Sequence, residues 1–288
     1  MTTIAPTPAQ PAQAARPAPT TRLSFGGVLA SEWVKLRSLR STVWSYLIVI
    51  AISLGMAFLM SFSFAYGMDG GMDGANVPAA EQTSFVVQSA LFGIYFGQLV
   101  VGVLGVLVIS GEYTTGMIRS TLTAVPKRLP ALAGKAVVLF VATFVVGIVT
   151  NLAAFLTSSL VFAGVDVSTS LFEADTLLAL AGGALYLALV AVFALGVGTM
   201  LRSSAGGIAA VLGLVLLVPT ILQLIPADWA HDMIPYLLSS AGMTMFTAIG
   251  ADSADIVGPN AWQSLLVVLA WVGVSLVGAS VLLKRRDA

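Results

Sequence analysis

Residues 177–200 read LLALAGGALYLALVAVFALGVGTM, an apolar run without a single Asp, Glu, Lys, Arg or His. A hydrocarbon core about 30 Å thick takes roughly 20 apolar helical residues to cross, so this stretch is long enough to span a bilayer. Five others match it, near residues 43–64, 86–109, 136–163, 206–225 and 261–283, and all five lack the same charged residue types. Helix is the expected conformation throughout. An open strand in lipid leaves backbone groups unpaired, and barrel strands would alternate in hydrophobicity over about 10 residues. The third stretch is longer than an upright span needs, and is expected to tilt or to bend near Thr150 and Asn151.

Composition points the same way. Of 288 residues, 58% are hydrophobic and 9% charged, whereas soluble domains carry about 25% charged residues. There are no cysteines and His231 is the only histidine. Thiolate sites and disulfides are therefore excluded, and the lone histidine leaves no histidine metal cluster or Ser-His-Asp triad to propose. Residues 1–22 are dominated by Ala, Pro, Thr and Gln, a composition with no apolar surface to bury and expected to form a disordered tail. No basic start followed by an apolar core precedes Leu23, so the tail does not read as a signal peptide.

Six spans place the connecting segments alternately on two sides, and the charges sort accordingly. All 13 Lys and Arg residues fall on one side. The other side holds Asp69, Asp73, Glu81, Asp166, Glu173, Asp175, Asp228, Asp232, Asp252 and Asp255. The positive-inside rule makes the Lys/Arg side cytoplasmic, with both termini there and the chain in the plasma membrane.

Three segments are more than simple spans or loops. Before the first span, Phe25, Val28, Leu29, Trp33, Leu36 and Leu39 recur at helical spacing, with Glu32, Lys35 and Arg40 on much of the remaining surface. This predicts an interfacial helix over 24–40 that sinks its apolar stripe into the headgroup boundary. Its bland reading is a positive flank that orients the first span; its sharper reading is a helix that also docks a cytoplasmic partner. The loop from Gly111 to Lys135 has Met117, Ile118 and Leu122 at helical spacing, ended by Pro126 and Pro130. Glu112 lies where the second span leaves the membrane, within reach of Lys35, Arg37 or Arg40. An exposed pair of that kind is worth about 0–1 kcal/mol. Last, residues 233–249 are apolar but short for a span, and read either as a segment packed on protein at membrane depth or as a seventh span, which would put the basic C-terminus outside.

The pattern Ser31-Glu32-Trp33-x-Lys35-Leu36-x-Ser38 before the first span, with Glu112-Tyr113-x-x-Gly116-x-x-Arg119-x-x-Leu122-x-x-x-Pro126 after the second, resembles the permease subunit of type 2 ATP-binding-cassette (ABC) transporters. The resemblance runs from about Leu23 to the end of the chain. It implies an all-α integral membrane fold in which 24–40 is an elbow helix bearing Glu32, Trp33, Lys35, Arg37 and Arg40. It further implies that 112–126 is a coupling helix seated on an ATPase, and that 233–249 is re-entrant. A second permease copy, as a homodimer or heterodimer, and a separate cytoplasmic ATPase binding ATP and Mg are the implied partners.

No phosphate-cradling loop is present on this chain. The only Gly-Lys pair, Gly134-Lys135, is followed by Ala136 and lacks the earlier glycine. The chain is not expected to be an enzyme or to hold a cofactor, and its energy must come from a partner. Ion-coupled carriers normally place an ionisable group within the membrane, and the six cores have none. Gln98, Thr150 and Asn151 are the polar residues that either line a pathway or, more commonly in such helices, bond to a neighbouring helix. The expected function is export of a hydrophobic or amphipathic substrate. An ion-coupled transporter and a non-transporting immunity or structural protein are the alternatives, and a nucleic acid is not among the partners.

Overall fold

In the computed structural model the described residues are 24–67, 77–117, 129–167, 169–247 and 258–285. Residues 1–22, Arg119, Leu122, Pro126 and the charged residues Asp69, Asp73, Lys127, Arg128, Asp252, Asp255 and Arg286 lie outside them. The described residues form helices and connecting turns, with no strand among them.

Six helical segments are long and apolar enough to cross a membrane: Arg40–Tyr66, Glu81–Thr114, Leu129–Val165, Ala174–Leu201, Ser204–Leu224 and Ala261–Arg285. They are numbered here as spans 1 to 6. Helix α1 (Phe25–Ser38) precedes span 1, helix α2 (Arg40–Tyr66). Leu39, in extended conformation, separates the two helices, and Ser24 caps α1 by accepting a hydrogen bond from the Gly27 N–H.

Span 2 is two helices, α3 (Ala79–Leu91) and α4 (Ile94–Thr114). At the join the hydrogen bonds tighten to a three-residue spacing: Phe92 N–H donates to Ser89 at 3.4 Å and Tyr95 N–H to Phe92 at 3.2 Å. Span 3 contains α5 (Leu129–Phe162), a single helix that runs through Thr150 and Asn151 without interruption. Its excess length extends toward the charged end, where it begins seven residues before the apolar run at 136 that defines it in the sequence.

Span 4, helix α6 (Ala174–Leu201), is the central pillar, with every residue from Tyr186 to Gly196 buried. It packs against α4, α5 and span 6, which is helix α11 (Ala261–Arg285), and α10 (Leu238–Thr247) also lies against it. The all-round hydrophobicity of residues 177–200 is what a helix surrounded by other helices requires.

Span 5 is built from α7 (Ser204–Leu212), a π-helical turn at Gly213–Leu217 and α8 (Val218–Leu224). The π turn, in which Val218 N–H donates to Gly213 O, directly precedes Pro219. Proline lacks an N–H and its ring crowds the carbonyl four residues back, so a widened turn relieves the clash. Short helix α9 (Asp228–Met233) follows, and then α10, whose Leu238, Ala241, Met245 and Phe246 are buried. Residues 238–247 thus pack on the pillar and on span 6, and are too short to cross.

Several polar side chains inside the bundle bond within it. Tyr186 O–H donates to Gln98 Oε1, Gln98 Nε2 donates to Tyr95 O at 3.1 Å, and Asn151 Nδ2 donates to Leu180 O at 2.9 Å. Thr150 is buried beside Asn151, and its hydroxyl has no partner among the described residues. Such bonds in membrane helices average about 0.6 kcal/mol. Tyr186→Phe strands the Gln98 carbonyl in the core and should lower the thermal midpoint of the purified protein slightly. Adding Gln98→Leu should return it toward wild type, as read by thermal unfolding in detergent.

Candidate functional site

The charged residues expected to project into solvent at the Lys/Arg end are in part buried together. In α1 the buried positions are Val28, Glu32 and Leu36, one face at four-residue spacing. Phe25, Trp33 and Leu39, expected on the apolar stripe, are exposed, whereas Glu32, expected on the polar surface, is 3% exposed. Glu32 therefore lies on a covered face and not on the polar surface. The face of α1 that is covered is covered by protein, chiefly α5, with Glu32 at its centre.

Gly134 allows this approach. A Cβ at that position would lie 2.8 Å from Val28 Cγ1, so a side chain there would push α1 away. The next residue, Lys135, then reaches Glu32 with Nζ–Oε2 at 2.6 Å and Glu112 with Nζ–Oε1 at 2.9 Å. Lys35 closes the figure, with its Nζ 2.7 Å from Glu32 Oε1 and 3.1 Å from Glu112 Oε1. Two ammonium and two carboxylate groups alternate in a ring that joins α1, the end of span 2 and the start of span 3.

This arrangement differs from the exposed Glu112 pair expected from the sequence. Glu112 and Lys135 are each 6% exposed, and each lysine serves both acids. Burial by itself would lower the Lys35 pKa, but the hydrogen bond and charge of Glu32 and the charge of Glu112 outweigh it and hold that pKa above the ordinary lysine value. Arg37 and Arg40 are exposed and outside the ring. Lys135 was missed by sequence reasoning. Its signal is a lone charge in the first two turns of an apolar helix, directly after a glycine.

The same end of span 2 is held from the opposite side. Ser204 Oγ donates to Ser110 Oγ at 2.9 Å, and the Arg202 guanidinium stands 5.3 Å from the centroid of the Tyr113 ring. Arg202 itself ends span 4 in left-handed conformation, with φ 53°. Gly116, at φ 72°, ends α4 in the backbone region that favours glycine. Of the six residues expected to contact an ATPase, Glu112, Tyr113 and Gly116 are therefore placed at this end, and Arg119, Leu122 and Pro126 lie outside the described residues. Gln98, Thr150 and Asn151 are remote from the ring, within the bundle. Among the described residues no group of three or more His, Asp and Glu side chains is placed to hold a metal ion.

Residues 28–223 match the family model described as ABC-2 family transporter protein. The chain belongs to the ABC-2 transporter family. The match begins in α1, includes the whole ion ring and ends in span 5. No curated protein matches the chain in sequence. Members of the ABC-2 membrane family typically lack a nucleotide-binding domain, and an ABC-2 membrane component implies an ATPase partner in general. The protein is thus a multi-pass ABC-2 membrane component whose charged end carries a buried ion ring.

Removing one member of a buried ion pair typically costs about 3–5 kcal/mol because the partner is left charged and unpaired. Lys135→Met should destabilise the purified protein by about that much in a reversible unfolding assay. Lys135→Met with Glu32→Leu removes one charge of each sign and should recover a large part of the loss.

Proposed function

We propose that the chain is the permease half of an ABC exporter and that residues 112–126 receive the ATPase. The observation that carries this reading is the Glu112–Lys135 bridge at 2.9 Å. Glu112 lies near the end of α4 and Lys135 near the start of α5, on either side of the proposed contact, so both helices are tied to one ring. A force applied to that contact reaches span 2, span 3 and α1 at once, because all three contribute to the ring.

In this reading α1 is an elbow helix and 23–288 is the transmembrane domain, with 1–22 as its cytoplasmic tail. The Lys/Arg-rich end faces the cytoplasm by the positive-inside rule, which places both termini there in a plasma membrane. Residues 238–247, packed on the pillar at the opposite end, form the re-entrant element. ATP and Mg bind to the partner ATPase, and two permease copies enclose the path.

Closing of the ATPase pair would drive rigid-body movement of spans between two discrete packings. The spans carry no Asp, Glu, Lys, Arg or His in their apolar stretches, which suits a hydrophobic or amphipathic substrate leaving the cytoplasm. Gln98, Thr150 and Asn151 are the polar groups available to such a path.

Arg119→Glu reverses a charge in the proposed ATPase contact without altering the ring. It should uncouple ATP hydrolysis from transport while the protein remains in the membrane. Transport by reconstituted vesicles containing the permease and its ATPase is the measurement, and unchanged transport would count against residues 112–126 as the contact.

A further inference from the structure

The ring withdraws the acids of its end from the surface. Glu32 and Glu112 are the acids at this end among the described residues, and both are buried against Lys35 and Lys135. The exposed charges left among the described residues are Arg37 and Arg40 at the junction of α1 and span 1, and Lys284 and Arg285 at the end of span 6. All four are positive. The exposed acids of the described residues, such as Glu81, Glu173 and Asp228, lie at the opposite end.

Arg37 and Arg40 differ from the other two cations in what stands beside them. Trp33 precedes Arg37 by four residues in α1, and Trp44 follows Arg40 by four residues in span 1, so each pair shares one face of its helix. Both indoles are uncovered, Trp33 43% and Trp44 65% exposed, and Val34 is exposed with them. Neither guanidinium has a hydrogen-bond or ion-pair partner among the described residues. Four residues before Lys284 and Arg285 stand Ser280 and Val281, so span 6 offers its cations no aromatic neighbour there.

We propose that the junction of α1 and span 1 binds an anionic phospholipid. The two guanidiniums take the phosphate, whose oxygens suit their forked N–H donors. Trp33, Val34 and Trp44 lie against the glycerol and the first acyl methylenes, the depth at which indoles settle in a bilayer. Burial of the acids sets the selectivity. The ammonium of a zwitterionic headgroup meets two arginines and no exposed carboxylate, whereas a headgroup without an ammonium brings net negative charge to a surface of net positive charge. The inference needs the membrane fold and the ring, and it does not need the coupling role of residues 112–126.

The test is native mass spectrometry of the full chain in detergent with equal amounts of phosphatidylglycerol and phosphatidylcholine bearing the same acyl chains. Each arginine near an anionic headgroup contributes a factor of about five, so phosphatidylglycerol should be retained about twentyfold over phosphatidylcholine. Arg37→Gln with Arg40→Gln should bring the ratio close to one, and because both side chains are exposed and outside the ring the thermal midpoint should stay at the wild-type value. Lys284→Gln with Arg285→Gln removes the same charge from the same end and should leave the preference near that of wild type. Equal retention by wild type, a preference that survives loss of both arginines, or equal losses from the two pairs of substitutions would overturn the proposal. Displacement of the lipid by soluble glycerol 3-phosphate at the same concentration would overturn the lipid as the ligand. An unchanged lipid ratio in an arginine variant that no longer co-purifies with its ATPase would give the surface to a protein and overturn it too. The lipid ratio is read without an ATPase, so its failure is separate from failure of the Arg119→Glu test.

Discussion

Four charges at one end of the bundle, three of them buried and Lys35 partly so, constrain where three helices lie. Taking an ammonium or carboxylate out of water carries a penalty of several kcal/mol, and the mutual attraction of the charges offsets it only when every partner is in place. Glu32 comes from α1, Lys135 from span 3 and Glu112 from span 2, with Lys35 completing the set. None of the three helices can shift alone without exposing or orphaning a charge. The ring therefore specifies register more than it adds stability, and Gly134 is the small residue that lets the register close.

Around that fixed end the bundle has two kinds of helix. Span 4 is 72% buried over its most apolar window and span 2 61%, whereas spans 1, 5 and 6 are each 22% buried. Lipid chains are as apolar as leucine side chains, so the exposed faces of the outer spans need no further cover within a membrane. The well-buried helices include the one that carries Glu112 and the pillar against which it packs. On the coupling reading, a displacement applied at the ring would enter the bundle through its best-packed elements, while the helices facing lipid or a second copy are the freest to follow.

Much of this was legible in the sequence. The six spans follow from apolar length alone, and their alternation collects the Lys and Arg residues at one end. Glu112 was singled out because it interrupts the apolar pattern where span 2 ends. What the sequence did not disclose is burial. Glu32 lies four residues from both Val28 and Leu36, which is the signature of a charge on a covered face, yet periodicity alone does not distinguish a face covered by lipid from one covered by protein. Nothing in the spacing around Lys135 marks it as an ion-pair residue, and only the placing of span 3 beside α1 shows that it meets two acids. The break in span 2 at Phe92 and Gly93 and the π turn before Pro219 are likewise products of local packing and backbone sterics within helices that hydropathy reads as continuous.

The central claim is mechanical: on the coupling reading, the ring matters because it ties α1 to spans 2 and 3 at the two ends of the proposed ATPase contact. The absence of native cysteine allows that claim to be isolated. A Cβ built on Gly134 lies 3.8 Å from Val28 Cβ, within the 3.5–4.5 Å range of disulfide geometry. The measurement is transport per ATP hydrolysed by the Lys135→Met protein carrying Val28→Cys and Gly134→Cys, reconstituted with its ATPase and compared in oxidised and reduced states. Coupling lost on reduction and restored on oxidation is the expected result, since a covalent tie then replaces the ionic one. Full coupling in the reduced state, or none after the disulfide has formed, would contradict it.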